Sequence, residues 1–389
     1  MANFRQLDFL DLDAQLSEEE RMVRDSVRAW VGERYLPLVM EHFEGGTFPM
    51  EVTRELAELG LFGPTTPAEY GGMGLNNVAY GLICQELERG DSGLRSFCSV
   101  QGSLVMWPIH AFGSEDQKRR WLPKLAAGEA IGCFGLTEPD FGSNPGGMLT
   151  TAKREGQDWV LNGRKMWITN GTVSDVAVVW ARAEERIRGF LVEAGTPGFS
   201  APEQKHKFSL RASITSELVL EDVVVPDAAR LPGAEGLKAP LSCLTQARYG
   251  IAWGALGAAL ACFDEALEYS KSRIVFDRPL AAFQIPQKKL ADMATAITLG
   301  QLMALRLGRL KDEGSVTAAQ VSMGKRNNVA MALDVARTCR DMLGANGISL
   351  EYQVGRHLCN LESVITYEGT HDIHTLALGQ ELTGHQAFR

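Results

Sequence analysis

The 389-residue chain has no cationic excess. Its 48 Asp and Glu outnumber 39 Lys and Arg, for a net charge of -9. No strongly basic run interrupts that balance, which argues against a nucleic-acid surface. Paired cysteines are also missing. The seven, Cys84, Cys98, Cys133, Cys243, Cys262, Cys339 and Cys359, are scattered and form no CxxC spacing. Such usage fits reduced core thiols and gives no zinc motif. The stretch from Met1 to Glu20 is acidic and lacks a cationic-then-apolar signal pattern, so the expected location is the cytoplasm. An uncharged and strongly apolar run, Tyr249 to Phe263, is 15 residues. A bilayer span takes about 20, so this run reads as a buried helix and no membrane insertion is expected. Internal repeats and low-complexity tracts are absent.

What is present is ordinary globular composition, 45% hydrophobic and 22% charged. A chain of this length should form about two or three domains. The first third reads as helices. Ser17 and Glu20 make a capping-box pattern before Met22, Val23, Val27, Trp30 and Val31 at helical spacing, with Pro37 as the stop. A short helix over Val52, Leu56 and Leu59 closes at Gly60. Val78, Leu82, Ile83 and Leu87 predict an amphipathic helix. Another is expected over Ser99 to Ala111, and Ser114 with Gln117 opens one more. The pattern then changes. Asn162-Gly163, flanked by Trp159-Val160-Leu161 and Met166-Trp167-Ile168, predicts a type I′ hairpin. Strand-like runs follow at Val176 to Trp180, Gly189 to Val192 and Leu218 to Val225. From Pro240 the periodicity is helical again, with long runs over Leu290 to Leu310 and Val321 to Met342. Long helices with short loops predict a four-helix bundle. The expected architecture is α+β and multidomain: an N-terminal helical domain over 1–130, a middle β domain over 131–236 and a C-terminal helical domain over 237–389.

One short stretch carries the strongest chemical signal. In Tyr367-Glu368-Gly369-Thr370-His371 a carboxylate precedes a glycine and a helix cap. Gly369 allows close backbone approach to a ligand. An ionised, positioned Glu is what a general base needs; a solvated acid in a cap region is the plainer reading. The segment Phe134 to Ser143 is a Gly-rich loop with hydroxyls, but its setting between helices and strands is not that of a dinucleotide phosphate loop. Arg95, four residues after Asp91, reads from spacing alone as a surface ion pair. His371 and His374 have no ligand-spaced partners, so no metal is expected.

The order helical, β, helical carries Leu136-Thr137-Glu138-Pro139, Met166-Trp167-Ile168-Thr169-Asn170 and Tyr367-Glu368-Gly369-Thr370. In this the chain resembles the acyl-CoA dehydrogenase family over essentially its whole length. Asp91-Ser92-Gly93, Arg95-Ser96, Ser99-Val100-Gln101, Lys207 to Ser213 and Ala247 to Gly254 resemble the branch that acts on glutaryl-CoA. Gly102, Trp107, Leu94 and Asn144 depart from that branch's pattern. The resemblance implies a middle β-barrel domain between the two helical ones, and Glu368 as the base. It implies substrate contacts from Glu88, Arg95, Ser96, Ser99, Ser143, Arg248, Tyr367 and Gly369. It implies FAD held by Phe134, Leu136, Thr137, Gly142, Ser143, Trp167, Ile168, Thr169, Thr370 and Phe388. Arg273, Gln284, Asp341, Met342, Leu343 and Gly344 would reach a flavin in a neighbouring subunit, which implies a homotetramer. The implied partners are an acyl-CoA, with glutaryl-CoA favoured, and electron-transferring flavoprotein. The implied reaction ends in crotonyl-CoA and CO2; a plain short-chain acyl-CoA dehydrogenase and a non-catalytic flavin- or CoA-binding scaffold are the alternatives.

Overall fold

The computed structural model describes residues 7–388; the first six residues of the acidic start, and Arg389, lie outside it. Seven helices come first: α1 (Glu18–Trp30), α2 (Leu36–Gly45), α3 (Thr53–Glu58), α4 (Asn77–Gly90), α5 (Ser92–Ser99), α6 (Trp107–Phe112) and α7 (Glu115–Ala126). A sheet follows, from β1 (Gly132–Gly135), β2 (Thr151–Glu155), β3 (Asp158–Thr169), β4 (Val176–Ala183), β5 (Arg186–Glu193), β6 (Phe199–Ser200) and β7 (Thr215–Pro226). The rest is helical: α8 (Lys238–Ser272), α9 (Gln284–Asp312), α10 (Ala318–Met342), α11 (Gln353–Val364) and α12 (His371–Thr383), with a small ribbon of β8 (Ile274–Val275) and β9 (Arg278–Pro279) between α8 and α9.

The capping boxes at Ser17 and Ser114 form as expected: each hydroxyl accepts the backbone N–H three residues on, and each Glu or Gln reaches back. Pro37 does not stop the first helical run. A wide π-type turn over Val31–Tyr35 carries the chain into α2, where Pro37 sits in the first turn and needs no N–H. A second π-type turn, Val100–Met106, breaks the expected Ser99 to Ala111 helix between α5 and α6. It brings Gln101 inward, where its amide bonds the Leu125 and Ala130 carbonyls and accepts from Gly132 N–H. A Cβ on Gly102 would lie 2.7 Å from the Phe62 carbonyl oxygen, so glycine is what this packing accepts. Helix α4 is not amphipathic: Val78 to Gly90 are all buried, because α1, α8 and α9 enclose it.

The Asn162-Gly163 hairpin does not exist. β3 runs straight through both residues, and Gly163 marks a register shift against β7. Asn162 instead exchanges hydrogen bonds with Asp222 across the strands. The turn between β2 and β3 falls at Gly156-Gln157. Strand order is β1-β4-β2-β3-β7-β6, with β5 along the other edge of β4. Trp159, Val179, Phe190 and Leu220 fill the interior of this curled sheet.

α8 is long and apolar enough to cross a bilayer by composition, yet most of it is buried against α4 and α10. Its small residues let backbones meet. A Cβ on Gly257 would stand 1.8 Å from the Gln85 carbonyl oxygen, and one on Gly254 2.0 Å from Glu88 Oε2. That close approach sets where α4 places Glu88. Asp91 then caps α5 through Gly93 N–H and is held by Arg356 and Asn360 of α11. Gly257→Ala should therefore cost about 1–3 kcal/mol by overpacking, read from denaturant unfolding. Gly379→Ala, with no heavy atom near the new methyl, should be neutral or stabilise by up to about 1 kcal/mol. Equal effects would contradict this packing.

Candidate active site

The segment from Ile365 to Thr370 links α11 to α12. Thr370 caps α12 by accepting Ile373 N–H, as its position in the sequence suggested. Glu368 adopts φ 52°, a left-handed conformation costly for a residue with a Cβ, and Gly369 follows at φ 94°. Three hydrogen bonds hold this strained turn. Arg248 Nε of α8 donates to the Glu368 carbonyl at 2.7 Å. Lys325 Nζ of α10 donates to the carbonyls on either side, Tyr367 at 2.5 Å and Gly369 at 2.6 Å. The Glu368 carboxylate itself keeps one oxygen, Oε2, enclosed and without a hydrogen-bond partner among the described residues. Burial pushes its pKa up; Arg95, Lys325 and Arg248 pull it back.

Arg95 is not a surface ion-pair residue. It is 1% exposed, and its partner is Glu88, not Asp91. Nε donates to Glu88 Oε2 at 2.7 Å, and Nη2 donates to the Tyr367 hydroxyl. Its guanidinium also lies 5.6 Å from the Tyr367 ring centre. No described residue bonds Nη1. Burial opposes the Arg95 charge, but Tyr367, Glu88 and Glu368 hold it above its ordinary range. The Ser96 and Ser99 hydroxyls are buried on the same helix without a hydrogen bond to any described residue. Thus Glu88, Arg95, Tyr367, Glu368, Gly369 and Arg248 form one cluster.

Lys325 and His374 complete it; Lys325 was not singled out from the sequence, and His374 was weighed there only as a metal ligand. Burial pushes the Lys325 ammonium down to about 7 and the His374 imidazole down to about 3. A Cβ on Gly369 would lie 2.9 Å from His374 Nε2. The signal for Lys325 was its helical spacing: it follows Val321 and precedes Val329 by four residues, both buried with it on one face of α10.

A second group of predicted residues gathers around the sheet. Phe134 lies in β1, and Leu136 and Thr137 follow it. Met166 N–H donates to the Thr137 carbonyl, which brings this loop against Trp167, Ile168 and Thr169. Trp167 has φ 62° at a register shift and is 60% exposed, an aromatic face turned outward. The hydroxyls of Thr137, Ser143 and Thr169 bond no other described residue, and a Cβ on Gly142 would meet nothing within 4 Å. An outward aromatic face beside open hydroxyls and peptide groups fits the mixed apolar and hydrogen-bonding character of FAD. Glu138 anchors the loop. It accepts Leu149 and Thr150 N–H and pairs with Lys165 Nζ at 2.9 Å, both side chains buried.

The remaining predicted residues stand apart from the Glu368 cluster within this chain. Arg273 and Gln284 are exposed at the two ends of the β8–β9 connection. Asp341 pairs with Lys289. Met342 and Leu343 are buried in the α8–α11 core, Gly344 follows them, and Phe388 is half exposed near the C-terminus. Among the described residues no group of three metal-ligating side chains gathers.

All three domains of one family match this chain: the acyl-CoA dehydrogenase N-terminal domain over 17–129, the middle domain over 133–223 and the C-terminal domain over 234–383. The chain belongs to the acyl-CoA dehydrogenase family, whose members are FAD-dependent oxidoreductases. It is 34% identical to the human mitochondrial short-chain specific acyl-CoA dehydrogenase, over 97% of this chain and 93% of that one. A crystal structure of glutaryl-CoA dehydrogenase from Mycobacterium smegmatis is 58% identical, with TM-score 0.97, over 98% of this chain and 99% of that one. A structure of a glutaryl-CoA dehydrogenase from the same organism in complex with FADH2 is 55% identical, with the same TM-score and coverage.

The loop anchor is directly testable. Lys165→Met leaves the buried Glu138 carboxylate without its counter-charge. It should cost about 3–5 kcal/mol in unfolding free energy. Lys153→Met, on the exposed face of neighbouring β2, should stay within about 0.5 kcal/mol. Similar losses would show that the Glu138–Lys165 pair does not hold the loop.

Proposed function

We propose that this FAD-dependent acyl-CoA dehydrogenase oxidises glutaryl-CoA and decarboxylates the product to crotonyl-CoA. The observation that carries this reading is Arg95, a buried guanidinium near the base with one nitrogen left for a ligand. A guanidinium offers a two-pronged match to a carboxylate. Arg95, Lys325 and Arg248 are three cations facing two carboxylates, Glu88 and Glu368. The pocket therefore accepts one further negative charge, which glutaryl-CoA carries at its distal end and butyryl-CoA lacks. The 58% identity to a glutaryl-CoA dehydrogenase supports the same substrate, and the 34% identity to a short-chain enzyme supports the plain reading less strongly.

In this reading Arg95 and Glu88 fix the far end of the acyl chain, with Ser96, Ser99 and Tyr367 lining its path. Glu368 takes the α-proton. That proton is too weakly acidic for a carboxylate in water, so the thioester oxygen needs donors as negative charge develops there. The Glu368 N–H, in the same turn as the carboxylate, would donate there, and Gly369 would keep the approach open. Phe134 to Ser143, Trp167 to Thr169 and Thr370 would hold FAD, which supplies the acceptor for the β-hydrogen as hydride. The unsaturated thioester then loses CO2, because the electron pair left behind delocalises into the thioester. Glu368 returns its proton to the γ-carbon, from which CO2 has left, giving crotonyl-CoA. Ser143 and Arg248 are assigned to the CoA side.

Electrons would pass to electron-transferring flavoprotein, the usual acceptor of the family. The assembly would be a homotetramer. Phe276 is 90% exposed and Ile285 72%, beside Arg273 and Gln284, an apolar tip suited to a second copy.

Arg95→Met tests the substrate. It keeps the stem and removes every donor, so a bound carboxylate loses its partner at a cost of about 2–5 kcal/mol. The kcat/KM for glutaryl-CoA should fall by roughly 30- to 4000-fold, while that for butyryl-CoA changes far less or rises. Equal losses on both would make Arg95 a structural partner of Glu88 and nothing more.

A further inference from the structure

We propose that Lys325 is a positioning residue for the base: its buried ammonium holds the peptide carbonyls on both sides of Glu368 and so aims the carboxylate. This rests on the reading of Glu368 as the base. The geometry is specific. Lys325 is 1% exposed and, among the described residues, has no carboxylate within salt-bridge distance. A buried lysine with no salt-bridged anion is costly unless its hydrogen bonds are made. Here they go to two carbonyls spaced two residues apart, 2.5 Å to Tyr367 and 2.6 Å to Gly369. Glu368 lies between them in the left-handed region, which a non-glycine residue keeps only when its surroundings hold it there. Arg248 bonds the middle carbonyl. Two cations thus hold three successive carbonyls, 367, 368 and 369, and the direction of the Glu368 side chain follows from that turn.

The ammonium also acts by its charge. Glu368 is faced by Arg95 from α5, Arg248 from α8, Lys325 from α10, His374 from α12 and Tyr367 within its own segment. Lys325 is faced by Glu368, Arg248, Arg95, Tyr367, whose ring centre is 5.7 Å away, and His374. Glu88 reaches this group through Arg95. His374 stays neutral above about 3, so it does not titrate with the base. Burial raises the Glu368 pKa, and Lys325 is one of the cations that limit the rise. A base works only when ionised, so activity falls as pH drops through its pKa. Removing the Lys325 charge raises that pKa and moves the acid limb of the rate profile to higher pH.

Two variants separate aim from charge. Lys325→Gln keeps two N–H donors and removes the charge. Lys325→Met removes both. The FAD-loaded proteins are assayed with glutaryl-CoA and with butyryl-CoA against an artificial electron acceptor, from pH 5 to 9. FAD content and substrate KM are measured alongside. Lys325→Gln should displace the acid limb upward and keep a kcat plateau above that of Lys325→Met. Lys325→Met should show the same displacement and a plateau lowered about 10²-fold, the scale of a misplaced catalytic group, with KM little changed. A limb that does not move in Lys325→Gln, or a Lys325→Met plateau equal to wild type, overturns the proposal. Where Lys325→Met does not fold, Lys325→Gln decides; if neither folds with FAD, Lys325 is a folding residue and the proposal is overturned. Glu368→Gln is run in parallel. If it keeps wild-type activity, the base assignment itself fails, whatever the Lys325 variants do.

Discussion

One constraint organises the protein: a carboxylate must stay chemically available while enclosed beside an apolar interior. Burial raises the Glu368 pKa, and the left-handed turn that carries it is strained. Three cations from three different helices limit that rise, Arg95 on α5, Arg248 on α8 and Lys325 on α10. Two of them spend their donors on the backbone of the turn and one on Glu88 and Tyr367. The site therefore exists only when the N-terminal helices, the long α8 and the α10 to α12 region pack together.

That dependence explains features that otherwise look like simple packing. Glycines 254 and 257 let α8 touch α4, which sets Glu88 and the α4–α5 corner. Asp91 locks the corner to α11 through Arg356 and Asn360, and Leu210 N–H bonds the Asn360 side chain from the loop before β7. Helix α11 leads directly into the Glu368 turn. The sheet region has its own anchor in Glu138 and Lys165. A buried pair of this kind is weak evidence of net stability, but it ties both ends of the Leu136 to Thr150 loop to β3, beside the residues suited to FAD.

Much of this was legible in the residues. Capping boxes, the buried run at Tyr249 to Phe263, the long C-terminal helices and the cap after Glu368 all follow local rules, and the structure obeys them. The misreadings share one cause, tertiary context overriding a local signal. Asn162-Gly163 is a hairpin dipeptide in isolation, but pairing with β7 on the far side keeps β3 extended through it. Pro37 reads as a stop, but a wide turn places it where a helix tolerates proline. Asp91 and Arg95 have ion-pair spacing, yet each finds a stronger partner on another face. Lys325 was overlooked because Gly324-Lys325-Arg326-Asn327-Asn328 is polar, although its four-residue spacing from Val321 and Val329 was a signal. In the fold Lys325 and Asn328 are buried while Asn327 is exposed.

The most direct test is turnover by the unmodified protein. Purified protein loaded with FAD is given glutaryl-CoA or butyryl-CoA with an artificial electron acceptor, and CO2 and crotonyl-CoA are measured. The account requires a higher kcat/KM for glutaryl-CoA, with one CO2 released per crotonyl-CoA formed. A preference for butyryl-CoA, with no CO2 from glutaryl-CoA, would contradict it.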